Sequence, residues 1–228
     1  MKGLARLRES SIGRKVLMAV TGIMLIGFLL GHLTGNLLIF GGREALNDYA
    51  WWLHDHPKML WGARIGLLVV FGAHVAIGLS LQAANRRARP VAYHHPGSVQ
   101  LRTAAQTMLA TGILVFAYLI YHLLHFTFGQ IQSANAALLV DGKPDTYGMV
   151  VAGFGNPIVA ISYLVALAIL GAHLSHGISS FFQTLGIQHP RYTPWIRRLG
   201  TAAAWILAAL YATIPLAVMF GIIPQPGS

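Results

Sequence analysis

Five stretches of this chain stay apolar for the length of a membrane span, at about 16–40, 60–84, 105–129, 157–182 and 200–223, and none of them contains Asp or Glu. A helix needs about 20 apolar residues to cross the hydrocarbon core. The fold expected is therefore an all-α integral membrane protein of five transmembrane helices, one membrane domain over 1–228. Composition agrees: 10% of residues are charged and 55% hydrophobic, whereas soluble domains carry about 25% charged residues. The connections carry turn chemistry at Gly41-Gly42, from Arg86 to Gly97, at Asp141-Gly142-Lys143-Pro144, and at His189-Pro190 with Pro194. No soluble domain, internal repeat or low-complexity segment stands out. The first run follows Arg14-Lys15 as in a signal peptide, but it is long, lacks an A-x-A site and contains His32, so it reads as a retained helix.

The charge pattern orients the spans. A net charge of +10 could suggest nucleic acid, but the positions of the charges argue for topology and against nucleic-acid binding. One side carries Lys2, Arg6, Arg8, Arg14, Lys15, Arg86, Arg87, Arg89, Arg102, Arg191, Arg197 and Arg198; the other carries Arg43, Lys58, Arg64 and Lys143. Basic residues collect on the cytoplasmic side, which places the N-terminus in the cytoplasm and the C-terminus outside. The acids Glu44, Asp48, Asp55, Asp141 and Asp145 then fall outside, and Glu9 inside. The basic loops act first as orientation signals and lipid contacts, with docking of a soluble subunit as a second use.

Within this apolar frame His32, His74, His122 and His173 each occupy a different run. Ionisable side chains inside a membrane are costly and mark function. Counted from the inner helix ends, His32 and His122 both lie 17 residues deep, while His74 and His173 lie 10 and 9 residues deep. The two levels differ by about 7 residues, roughly 10 Å at the α-helical rise. Two histidines at each of two depths fit two stacked bis-histidine haems inside a bundle of the first four helices. The chain has no cysteine, so any haem is held without thioether links, and thiolate ligation, disulfides and iron–sulfur clusters within the chain are excluded. One intramembrane histidine alone would read as a helix-packing hydrogen-bonder; four at matched depths favour ligands.

His125 and His176 each follow a candidate ligand at i+3 and share its face. Using either as the ligand worsens the match in depth, so His125 and His176 are assigned to propionate or supporting contacts. His54, His56, His94, His95 and His189 fall in loops and read as solvated. Gly27, Gly31 and Gly35 form a G-x-x-x-G-x-x-x-G ridge, read first as a close helix contact and second as room for a porphyrin face beside His32. Tyr49, Trp51, Trp52, Trp61 and Tyr147 gather at the outer boundary as an aromatic belt.

With these residues in hand, the chain resembles the cytochrome b membrane anchor of succinate dehydrogenase and fumarate reductase, in the five-helix, two-haem form. The resemblance covers nearly the whole chain and is carried by S-S-I-G-R-K (10–15), G-H-L-T-G-N-L (31–37), H-L-L-H-F-T (122–127) and, most specifically, H-L-S-H-G-I-S-S-F-F-Q-T-L-G (173–186). It implies two non-covalent haems b, the outer held by His32 and His122 and the inner by His74 and His173. It also implies a flavoprotein subunit that interconverts succinate and fumarate, an iron–sulfur subunit that passes electrons to the membrane, and a quinone, menaquinone or ubiquinone, as substrate. The chain would be the subunit that binds no dicarboxylate, in a bacterial inner membrane, and the complex could oligomerise further. Ser10, Ser11, Arg14 and Lys15 become candidates for propionate or iron–sulfur-subunit contacts, and Arg64 for an outer propionate. Some fumarate reductases of the family carry a membrane glutamate thought to relay protons; no span here holds an acid, which tilts the expectation towards succinate oxidation. Asp55, His54 or His56 could serve an outer quinone site as proton acceptors. The competing readings are another dihaem electron carrier, cytochrome b561-like or dehydrogenase-linked, and a proton-relaying transporter.

Overall fold

The computed structural model describes residues 10–88 and 99–224, with side chains of the second block from 107 onward. Lys2, Arg6, Arg8, Glu9, Arg89, His94, His95 and Gly97, and the side chain of Arg102, lie outside the described residues. Five helices are long and apolar enough to cross a membrane. They are α1 (Ser11–Leu37), α3 (Pro57–Arg87), α4 (Val99–His122), α7 (Pro157–Thr184) and α8 (Thr193–Met219). Between them stand α2 (Arg43–Asp55), α5 (Ser133–Ala136) and α6 (Thr146–Phe154), with a two-residue hairpin pairing β1 (Leu139–Val140) and β2 (Lys143–Pro144).

Local chemistry sets the helix ends. Ser10 caps α1, its Oγ accepting from the backbone of Gly13 at 2.8 Å. The 3₁₀ turn Leu38–Gly41 extends α1, and Gly42, at φ +95°, allows the chain to turn into α2. Pro57 and Pro157 open α3 and α7 at the first turn, where a missing N–H costs nothing. Asn156 caps α7 through Ile158 and Val159. His122 is followed by a π-helical turn, Leu123–Thr127, closed by Phe128 N–H donating to Leu123 carbonyl at 2.8 Å. α2 and α6 were not anticipated. The sequence suggested plain connections there, because their charges and glycines break the apolar runs.

Neighbouring spans run antiparallel. Arg14 meets Ser80 and Thr21 meets His74 between α1 and α3, while Thr111 meets His173 and Tyr118 meets Ser162 between α4 and α7. α7 and α8 form the closest pair, α1 packs on α7 and α8, and α3 touches α4 only thinly. Two cores result. The larger lies at the end away from the N-terminus, around Ile39, Val151, Phe154, Tyr163 and Ile214. The smaller joins Leu33, Leu174, Ala204 and Leu207.

The larger core is tied by a buried polar group. Asp145, 4% exposed, accepts from Arg43 at 2.6 Å, Asn47 at 2.9 Å and the Gly148 backbone at 2.9 Å. Asn47 in turn accepts from the Tyr147 backbone at 2.9 Å. One carboxylate thereby caps α6 and fastens it to α2. Trp51 adds a bond to the Pro144 carbonyl at 2.8 Å, and Lys143 covers the Trp51 ring.

Candidate functional site

The apolar helices bring the sequence-selected histidines into two settings. His32 on α1 and His122 on α4 face each other, ring centres 6.1 Å apart and planes at 85°. Two imidazoles on opposite sides of one metal ion have ring centres about 6 Å apart, taking roughly 2 Å per metal–nitrogen bond and roughly 1 Å from nitrogen to ring centre. Phe28 stacks on His32, and Tyr211 of α8 stands 6.2 Å away. Tyr211 also donates to the Leu29 carbonyl at 2.6 Å, fixing α8 to α1 one turn before His32.

His74 on α3 and His173 on α7 each meet a threonine of a neighbouring helix. His74 Nδ1 lies 3.0 Å from Thr21 Oγ1, and His173 Nδ1 lies 3.2 Å from Thr111 Oγ1. Each threonine already donates its proton to a carbonyl one turn back, at 2.9 Å in both cases. The threonine oxygens are therefore acceptors, Nδ1 carries the proton in both rings, and each Nε2 keeps its lone pair for a ligand. A histidine that binds a metal commonly donates its other ring N–H in this way. Gly22 and Gly112, next to the threonines, make the room: a Cβ there would stand 3.5 and 3.2 Å from the imidazoles.

These partners expose a repeat that was not seen in the sequence. Thr21-Gly22 precedes His32, and Thr111-Gly112 precedes His122, each as T-G-x9-H. Eleven residues are close to three helical turns, so each helix presents both residues on one side, about 16 Å apart along its axis. α1 and α4 thus each supply one histidine of the first pair and the threonine for one histidine of the second.

The remaining candidates divide. His125, 2% exposed, has both ring nitrogens engaged, Nδ1 with Tyr163 at 3.1 Å and Nε2 with Gln132 at 2.9 Å. His176 is half-buried, one turn beyond His173. Arg14 reaches the Ser80 carbonyl at 3.5 Å through Nη1, while its buried Nε has no partner. Ser10 spends its hydroxyl oxygen on the helix cap, and Ser11 and Lys15 are exposed. Arg64 lies over the Trp61 ring. His54 and His56 donate to carbonyls one turn back at 2.7 and 2.8 Å, and Asp55 is exposed. The glycine ridge does not serve as a helix contact along its length. Only Gly35 is approached, by Tyr49, whereas Gly27 and Gly31 face open space. Of the aromatic belt, Tyr147 is buried in the larger core.

Among the described residues no group of three or more His, Cys, Asp and Glu gathers to hold a bare metal ion. A pair of opposed imidazoles fits a cofactor that brings its own equatorial donors. The unpartnered Arg14 Nε fits an anionic edge on such a group. The donor set therefore suits haem.

The chain is all-α, with five helices long and apolar enough to cross a membrane, the pattern of a multi-pass membrane protein. Comparison with protein-family models, with curated proteins and with solved structures finds no match for it.

Proposed function

We propose that this chain is the dihaem cytochrome b anchor of a succinate:quinone oxidoreductase, carrying electrons between an iron–sulfur subunit and a membrane quinone. The observation that carries the reading is the pairing of His32 with His122 at 6.1 Å, beside two histidines whose Nδ1 atoms are both taken by threonine. His32 and His122 would hold one haem b, and His74 and His173 the other. Bound haem would supply a one-electron couple at each site, and two imidazoles as its protein ligands would suit electron transfer better than oxygen binding. The protein's own work is to orient and shield. Thr21 and Thr111 fix the ring tautomers, Phe28 and Tyr211 hold His32, and the apolar walls exclude water. Arg14, whose buried Nε has no other partner, would meet a propionate carboxylate.

The anchor would sit in a bacterial inner membrane with its N-terminus in the cytoplasm. Flavoprotein and iron–sulfur subunits would dock on the face that carries Lys15, Arg86, Arg87, Arg197 and Arg198. The absence of an acid from the spans favours succinate oxidation over fumarate reduction. The test is a dithionite-reduced minus oxidised spectrum with haem quantitation on gently purified complex, then reduction by succinate. Two haems b per chain, partly reduced by succinate, support the reading. Two haems that ignore succinate while the partners are intact indicate a different dihaem carrier, and a complex without haem overturns the reading.

A further inference from the structure

We propose that Tyr163, backed by His125, is a positioning residue for His122: its hydroxyl oxygen accepts the Nδ1 proton of His122 and so leaves that ring's Nε2 lone pair for the outer cofactor. The inference rests on the dihaem reading and adds to it how the outer site is tuned.

The direction of each bond follows from the far end of the line. Gln132 Oε1 can only accept, and it has two donors, His125 Nε2 at 2.9 Å and Asn135 Nδ2 at 3.3 Å. His125 therefore carries its proton on Nε2, and in the neutral ring Nδ1 is an acceptor. The Tyr163 hydroxyl, 3.1 Å from Nδ1, donates to it. The hydroxyl oxygen is left to accept, and His122 Nδ1 stands 3.5 Å from it. The protons all point one way, from His122 through Tyr163 and His125 to Gln132. Hydrogen bonds in such a chain polarise one another, so His125 makes Tyr163 a better acceptor.

The line is built rigidly. Tyr163 is 7% exposed and its ring is boxed by Phe126, Phe154 and Tyr118. Gln132 holds a left-handed backbone at φ 52°, costly for a residue with a side chain, and this turn presents its amide to His125. His125 thus has a use that explains why a second histidine lies one turn from a ligand. It spends both nitrogens on the line and has none for iron. The inner pair has no counterpart, since each of its histidines ends on a threonine whose proton goes to its own helix backbone.

Accepting the Nδ1 proton raises the basicity of a ligating imidazole and so favours the oxidised iron. The full membrane complex carrying Tyr163→Phe should keep two haems. Its outer haem should show an upward shift in midpoint potential and an altered low-spin EPR signal, and its inner haem should be unchanged. His125→Phe, which keeps the ring stacking, should shift the outer haem the same way by less, and the double variant should match Tyr163→Phe alone. An unchanged outer haem in Tyr163→Phe overturns the proposal, as does an equal shift of both haems. If His125→Phe does not assemble, Tyr163→Phe alone decides. A wild-type complex lacking haem would instead remove the dihaem reading beneath it.

Discussion

The two ends of this membrane bundle are made in different ways. At the end away from the N-terminus, α2, α6, α7 and α8 close around aromatic and aliphatic side chains, and Asp145 ties Arg43, Asn47 and the start of α6 together. At the other end, α3 runs for 31 residues without one buried side chain, and its polar tether to α1 is the single bond between His74 and Thr21, with a long one from Arg14. Apolar burial does little to associate helices in lipid, so packing, hydrogen bonds and bound groups must do it. One end has its own packing and polar ties. The other has fewer of both, the smaller core and the bonds from Thr21 and Thr111 to His74 and His173, and on the dihaem reading proposed above a bound group would add to them there.

The largest test of that contrast is His74→Ala. Haem content should fall from two per chain to one, with loss confined to the inner site, as read by pyridine haemochrome assay and redox titration. Equal loss from both sites would break the distinction. Asp145→Ala comes next. It leaves Arg43 and the buried amide of Asn47 without their acceptor, at a cost of about 2–4 kcal/mol. The loss would appear as a lower unfolding midpoint in mild detergent, with both haems retained below it.

Thr111→Val and Thr21→Val sharpen the comparison on a smaller scale. Each keeps the shape of the side chain and removes one acceptor, which should weaken inner haem retention by roughly 10- to 100-fold, measured by transfer to an apo-haem acceptor. The repeat predicts equal effects from the two; a clear inequality would show that α1 and α4 are not equivalent. The smallest effects are expected on the glycine ridge. Gly35→Ala pushes a methyl to 2.6 Å from the Tyr49 ring and should cost about 1 kcal/mol after Tyr49 shifts. Gly27→Ala meets nothing and should gain up to about 1 kcal/mol from helix propensity. Loss of outer haem in Gly27→Ala would show that the open space beside α1 belongs to the cofactor.

The spans were legible because length and apolarity alone define them, and boundaries shifted by only a few residues at most ends. The exceptions are α4, expected at 105–129 and found at Val99–His122 with a π-helical turn running on to Thr127, and α8, expected at 200–223 and found at Thr193–Met219, where Arg197 and Arg198 hid a first turn opened by Pro194. α2 was missed although Leu46, Ala50 and Leu53 recur at helical spacing after Glu44 in a first turn, a signal that five stronger runs drowned. For α6 the cue was Asp145 after Pro144, ahead of an apolar nonamer. The histidines announced themselves because charge-capable side chains stand out in apolar runs. Their partners did not, since threonine and tyrosine are ordinary in membrane helices and only the doubled T-G-x9-H spacing could have singled out Thr21 and Thr111. The line through Tyr163 and Gln132 joins residues of α4, the π-helical turn, α7 and the loop before α5, and depends on a left-handed backbone that no periodicity foretells.

The π-helical turn after His122 governs which length changes the gene can tolerate. A wide turn holds one residue more than an α-helical turn, and removing Leu123 or Leu124 would set His125 two residues after His122 instead of three, turning it by about 100° on the helix. His125 would swing away from Tyr163 and Gln132 would lose its register. Point substitutions there can be graded, but single-residue deletions cannot. The turn at Asp141-Gly142, by contrast, is exposed on every side and can lengthen without consequence for the bundle.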